Sequence, residues 1–371
     1  MNDGRVSEGY ARLPEDLLAD LLRGAGDMIV DVSDFLGPVL EQRQELRDAM
    51  QRLGLVQRYT PVEPRSIAAV DGGFAVERTA AVDIVLSVAV GVEGLSLTTT
   101  KWDSAQYEWW ARAAKHDPDV ERLARGTMVA QELAILSTAP HDVKILDGSH
   151  LTLVIQLNSA LTAFSREVRQ EIRRTWERLG TVEHLRIAAT DQTIVAMPKF
   201  DSSRAICDQL AIALNRDVPG DDKYLLGVLL EPGELLRVQQ VPADPWSTLH
   251  FTATPGVEDI QSELQQNIAG LRNREIVYTY FKPDELSPAF RIELKANMPV
   301  EVLDAVCSTI ASQITGPFVK EPYPQYLADV MAKSVGLGLG ALKTAVQLGV
   351  SKLGKPEIAE LLVHSYRTEG V

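Results

Sequence analysis

Two short stretches, Ala69-Val70-Asp71-Gly72-Gly73 and Ile145-Leu146-Asp147-Gly148-Ser149, each run apolar residues into an aspartate followed by a glycine. The apolar part reads as a buried strand and the aspartate as the residue where that strand leaves its sheet. The glycine is then where the backbone turns away or a ligand comes close. Two carboxylates presented this way begin a divalent-metal site, because hard cations take carboxylate oxygens. Metal-dependent chemistry on phosphates is the leading expectation. Either stretch alone is also ordinary turn chemistry, since aspartate bonds its own backbone and glycine supplies positive φ. The pair gains weight from Glu132, which lies in the otherwise charge-free run Gly126-Thr127-Met128-Val129-Ala130-Gln131-Glu132-Leu133-Ala134-Ile135-Leu136. A charge there is unfavourable unless it is paired or metal-bound. Glu121, beside Arg122 and Arg125, reads instead as part of a solvated face.

The elements that must position these residues follow from periodicity and turn chemistry. Residues 13–53 carry a helical pattern, with Leu17, Leu18, Leu21 and Leu22 on one face and a possible cap at Asp31-Val32-Ser33-Asp34. Residues 66–70, 80–92 and 95–101 read as the three strands of an antiparallel meander. Asp117-Pro118-Asp119 starts a helix over 120–136, Ser137-Thr138-Ala139-Pro140 ends it, and 143–146 is the fourth strand. Residues 151–157 fit a helix or an extension of that strand. Beyond them, 164–179, 202–213, 258–271 and 328–334 are predicted helical. Residues 185–189, 193–197, 224–230, 235–239, 248–251 and 277–281 are predicted strands, and 335–353 is a small-residue apolar segment suited to close helix packing.

Strand-Asp, two strands, a helix and strand-Asp is the order in which ribonuclease H-like folds build two-metal sites. Two cations ~3.5–4 Å apart there activate a water and stabilise the leaving oxygen of a phosphodiester. The expected fold is therefore α/β, a ribonuclease H-like core with a mixed central sheet and helical N- and C-terminal arms. At this point the sequence resembles the NurA-type DNA nucleases, partners of HerA-type translocases. Val70-Asp71-Gly72-Gly73, Glu132 and Ile145-Leu146-Asp147-Gly148-Ser149 match in order, and Pro322-Tyr323-Pro324-Gln325-Tyr326-Leu327-Ala328-Asp329 is similar to the family's closing motif. The resemblance runs from about residue 60 to 335 and implies three segments: a helical arm over 1–58, a nuclease domain over 59–335 and a helical segment over 336–371.

It further implies Asp71, Glu132 and Asp147 as catalytic residues that ligate Mn²⁺ or Mg²⁺, with Asp329 as a fourth ligand where the family often has histidine. Lys199 and Arg204 fall where the family has a basic residue able to contact a phosphate, and Tyr323 matches the motif tyrosine after a register shift. The implied activity is 5′–3′ exonuclease and single-strand endonuclease cleavage of DNA, in end processing or in defence against foreign DNA. The implied assembly is a homodimer working with a HerA-like hexameric ATPase. The chain carries no Walker A motif, since Gly354-Lys355 is followed by proline, so ATP hydrolysis falls to another polypeptide.

Composition is compatible with this. At 371 residues, 45% apolar and 24% charged, the chain can bury a substantial core. A net charge of −14 argues against a generic nucleic-acid coat, though not against an enzyme that gathers acidic ligands in one place. Cys207 and Cys307 form no CxxC pattern and read as small buried hydrophobes. With no apolar leader and no long apolar run, a cytoplasmic location off the membrane is expected. The six histidines show no HxxxH spacing, His150 is a strand-end residue near the second aspartate, and Trp109-Trp110 fits packing or base stacking. Two other readings stay open. One is a catalytically inactive clamp on the same fold. The other is an actin/sugar-kinase-type phosphotransferase, for which no second phosphate loop is found.

Overall fold

The computed structural model describes residues 15–95, 100–241, 250–271, 275–316 and 319–369. In chain order its elements begin with α1 (Glu15–Glu41), α2 (Arg43–Arg52), β1 (Val56–Arg58), β2 (Ile67–Thr79), β3 (Asp83–Glu93), β4 (Gln106–Ala114), α3 (Val120–Thr138) and β5 (Val143–Asp147). Next come α4 (His150–Leu161), α5 (Arg166–Leu179), α6 (Thr181–Thr190), β6 (Ile194–Met197), α7 (Ala205–Leu214), α8 (Asp222–Leu229), β7 (Glu234–Leu236) and β8 (Gln239–Gln240). The last are α9 (Glu258–Asn267), β9 (Ile276–Lys282), β10 (Phe290–Lys295), α10 (Val300–Ser312), α11 (Tyr323–Lys333), α12 (Val335–Lys352), α13 (Pro356–Val363) and β11 (Ser365–Glu369).

The chain divides into two compact units. The smaller takes the described residues of Met1–Leu53 with Ser202–Leu229, and the larger takes the rest. The smaller unit is helical, formed by α1, α2, α7 and α8. Tyr224 donates its hydroxyl to the Leu36 carbonyl at 2.7 Å, and Arg47 reaches the Leu229 carbonyl at 2.6 Å. Asp222 accepts the Ile206 and Cys207 amides, which caps the start of α7. Helix α1 runs unbroken through Asp31–Asp34, so no cap forms there, and Leu17, Leu22, Ile29 and Phe35 along it are exposed. In the smaller unit the 202–229 stretch joins the N-terminal helices.

The larger unit holds one mixed sheet in the order β1-β7-β9-β10-β6-β5-β2-β3-β4, with β11 added on β2 and β8 on β9. β2, β3 and β4 form the antiparallel meander, while β5 pairs parallel with β2 and β6 parallel with β5. This is the mixed α/β arrangement expected from the motif order. Its central strands are buried on both faces, and so read as continuous apolar runs. Val70, Leu146, Ile194 and Ala196 pack with Val129, Leu133 and Leu136 of α3. Ala69, Ile145 and Val195 face the other way, onto Leu303, Val306 and Ile310 of α10.

Several local expectations change. The third meander strand is β4, over Trp109 and Trp110, and most of the 95–101 expectation lies outside the described residues, as does the start of 248–251. Residues 185–189 and 224–229 are helical, not extended. Their buried positions, Leu185, Ala188 and Ala189 in one case and Leu225, Leu226 and Leu229 in the other, follow the helical period once neighbours cover one side. Both cysteines are free and buried. No helix among the described residues is long and apolar enough to cross a membrane.

Candidate metal centre

Asp71 does not end its strand. β2 continues through Asp71-Gly72-Gly73 to Thr79, so Asp71 sits mid-strand in register with Val90 of β3. Neither glycine there has positive φ. Their lack of a side chain serves close approach instead: Glu132 of α3 comes up against Gly72, and the Ala332 carbonyl of α11 against Gly73. The second stretch behaves as the turn chemistry predicts. Asp147 closes β5, Gly148 turns with φ of 86°, and the Ser149 hydroxyl accepts the Thr152 amide at 3.0 Å to cap α4.

Helix α11 supplies the third carboxylate. Pro322 and Pro324 open it, and Pro324, Gln325, Ala328 and Ala332 form its buried side, so Gln325 and Asp329, one turn apart, face the same way. Asp71, Asp147 and Asp329 each bring a carboxylate oxygen to within 4.8 Å of the other two. The Gly72 amide donates to Asp71 Oδ1 and Gln325 Nε2 to Asp147 Oδ1, both at 2.8 Å, which fixes the rotation of the two carboxylates. Glu132 is buried next to this trio without being one of its three members. Burial first, then the charges of Asp71 and Asp147, push its carboxyl well above the usual range. Burial and the Asp147 charge likewise push Asp71 up to about 7, against the opposing pull of Lys199 and the Gly72 amide. The centre holds more negative charge than its surroundings neutralise, and its donors are all carboxylate oxygens, a set that fits Mg²⁺ or Mn²⁺.

Neither a protein-family model nor a curated protein matches the sequence. Solved structures do. The NurA nuclease from Sulfolobus solfataricus aligns with a TM-score of 0.59 at 14% identity, over 92% of this chain and 98% of that one. A NurA structure with manganese gives 0.51 at 13% identity, over 88% and 98%. A further NurA structure gives 0.50 at 12% identity, over 86% and 94%. The chain has a NurA-type fold.

Within this NurA-type fold, the basic candidate Lys199 follows β6 and reaches into the centre. Its Nζ lies 2.6 Å from Asp329 Oδ1, 3.4 Å from Asp147 Oδ2 and 3.8 Å from Asp71 Oδ2. Burial disfavours the ammonium, but Asp147, Asp329, Glu321 and Asp71 outweigh it and hold Lys199 protonated. Burial also works to raise Asp329, yet hydrogen bonds from Lys199 and Lys333 win and lower it. Tyr323 is the first residue of α11, partly buried, with its amide on the Gln313 carbonyl at 2.9 Å. Arg204 belongs to the smaller unit. Its guanidinium bonds the Gly220 and Val218 carbonyls and pairs with Asp217, an arrangement that braces the chain between Ser203 and Asp222.

Three participants escaped the sequence reading. Gln325 lies within the closing motif and Glu321 directly before it, and the prolines at 322 and 324 were the available signal for a helix start. The third is Arg291 on β10, which pairs with Asp201 Oδ2 at 2.5 Å and Glu293 Oε1 at 2.9 Å and lies over the Tyr278 ring. Glu293 in turn accepts the His150 amide at 3.1 Å. His150 is buried, its ring nitrogens make no hydrogen bond among the described residues, and burial holds its imidazole neutral. On β4, Trp110 is buried and Trp109 exposed.

Proposed function

We propose that this chain is a divalent-metal-dependent deoxyribonuclease that hydrolyses DNA phosphodiesters. The convergence of Asp71, Asp147 and Asp329, from two strands and a distant helix, carries the reading. These three residues, with Glu132 behind them, would hold Mn²⁺ or Mg²⁺. A bound ion of this kind generates a nucleophilic hydroxide from water and stabilises the charge that develops on a phosphate. The chain's own groups prepare the place for it. The Gly72 amide and the Gln325 side chain fix the two strand aspartates, and α3 and the sheet exclude water from Glu132. Lys199 brings a positive charge to where a DNA phosphate must lie, with Tyr323 a further contact.

The resemblance extends the proposal to 5′–3′ exonuclease and single-strand endonuclease action, as a homodimer fed by a HerA-like hexameric ATPase, in repair or in defence against foreign DNA. The experiment is cleavage of labelled linear and single-stranded DNA in Mn²⁺, with and without such an ATPase. Wild-type protein is expected to cut and EDTA to stop it. Asp71→Asn and Asp147→Asn are expected to reduce cutting at least a hundredfold with unchanged circular dichroism. Full activity in Asp71→Asn sinks the proposal.

A further inference from the structure

Lys199 is a member of the acidic centre, not a bystander at its rim. The ammonium stands among the carboxylates of Asp71, Asp147 and Asp329, and the half-buried Glu321 faces it with Oε2 at 3.4 Å. Three of these four partners are the carboxylates that come together as a possible cation site. An ammonium and a dication sharing the same oxygens repel each other at close range, in a partly buried setting where screening is weak. Resting on the metal-centre reading above, we propose that Lys199 is a resident cation of this centre, which a divalent ion displaces, and that displacement turns its ammonium toward the DNA phosphate.

The surroundings allow that exchange as a side-chain motion. Pro198 precedes Lys199, and Asp201 just after it is tied to Arg291 at 2.5 Å and to the Tyr280 hydroxyl, so the backbone on either side is anchored. The lysine stem is flexible and carries a point charge, whereas an arginine fork would be locked by paired hydrogen bonds. Before an ion arrives, the ammonium offsets the mutual repulsion of the aspartates and keeps them assembled. Once an ion takes over that role, Glu321 alone of these four carboxylates stays with Lys199, and a phosphate can replace the three partners it loses. Metal uptake and substrate binding are thereby coupled through one side chain.

The test is Mn²⁺ binding without DNA, by titration calorimetry on the full chain. Lys199→Met keeps an unbranched stem one atom shorter and removes the charge. It is expected to bind Mn²⁺ with a Kd at least fivefold lower than wild type, because nothing must be displaced. In EDTA it is expected to melt below wild type, and saturating Mn²⁺ is expected to close that gap. An equal or weaker Kd, or a melting deficit that persists in Mn²⁺, overturns the proposal and makes Lys199 a fixed brace. If neither protein takes up Mn²⁺, the metal centre itself falls and the inference with it. A measurement on wild type stands even if the variant does not fold: Mn²⁺ should speed reductive methylation of Lys199 at least threefold by peptide mass spectrometry, with Lys343, paired to Glu77, unchanged. No change at Lys199 counts against displacement.

Discussion

A Cβ added at Gly72 would stand 2.3 Å from Glu132 Oε1, so these two residues share one space and the glycine is what admits the glutamate. The atom in the way is the far end of a flexible side chain, with Met128 Cγ beside it at 2.6 Å. Gly72→Ala should therefore fold, at an overpacking penalty of about 1–3 kcal/mol, by pushing the Glu132 carboxylate aside. Mn²⁺-dependent cleavage should fall at least tenfold while the melting temperature moves by only a few degrees. Undiminished cleavage in this variant would show that Glu132 does not contribute from where it sits.

The neighbouring glycine gives the opposite outcome. At Gly73 an added Cβ would meet the backbone carbonyl of Ala332 at 2.3 Å, and backbone cannot swing away as a carboxylate can. Gly73→Ala should push α11 off β2, lowering the melting temperature well below that of Gly72→Ala and carrying Asp329 out of the centre. Thermal unfolding of the two alanine variants side by side separates the two effects.

How far the sequence disclosed this site depends on which interactions are local. Asp147-Gly148-Ser149 was legible because strand end, positive φ and helix cap all fall within four residues. Asp71 drew attention for a partly mistaken reason. Asp71 read as the end of its strand and Gly72 as a turn or a place of close approach, whereas both glycines lie inside a 13-residue strand and make room for α3 and α11. Glu132 stood out as a charge in an apolar helix, and burial is what makes that signal informative. Glu321, Gln325 and Arg291 were not legible, because their roles exist only after α11 and β10 dock beside strands far away in the chain. The helices over 185–189 and 224–229 were missed because short apolar runs show no clear period until their neighbours define an inside.

Acidity should oppose the metal. The Asp71 carboxyl is raised from 3.8 to about 7, chiefly by burial and then by Asp147. Between those values the folded, metal-free protein keeps a proton that the unfolded chain has released, so stability from this group falls as pH rises through the window. Lys199 is raised and Asp329 lowered, which puts their own titrations outside it. Without metal, the melting temperature should decline from roughly pH 5 to 7, and saturating Mn²⁺ should flatten or reverse that slope. Mn²⁺ affinity should climb over the same range as Asp71 gives up its proton, with Glu132, also raised, adding to the proton release detected by calorimetry in buffers of different ionisation enthalpy. An affinity independent of pH below 7 would place the ion away from Asp71.

Arg291 links the two loops that deliver Asp147 and Lys199. Its guanidinium holds Asp201, two residues after Lys199, and Glu293, whose other oxygen accepts the amide of His150, three residues after Asp147. All three charged side chains are nearly buried, with 8%, 12% and 5% of their surface exposed for Arg291, Asp201 and Glu293. Removing the cation leaves two carboxylates facing each other out of water, a loss of about 3–5 kcal/mol for a buried pair. Arg291→Met should thus unfold at markedly lower temperature, and in the folded fraction both loops should loosen. Replacing Asp201 and Glu293 together with Asn and Gln in the same chain removes the stranded charges and should restore much of the stability. It should not restore Mn²⁺ affinity, because the geometry set by the guanidinium is still missing. Recovery of both in the triple variant would reduce Arg291 to a counter-charge with no part in aiming Asp147 and Lys199.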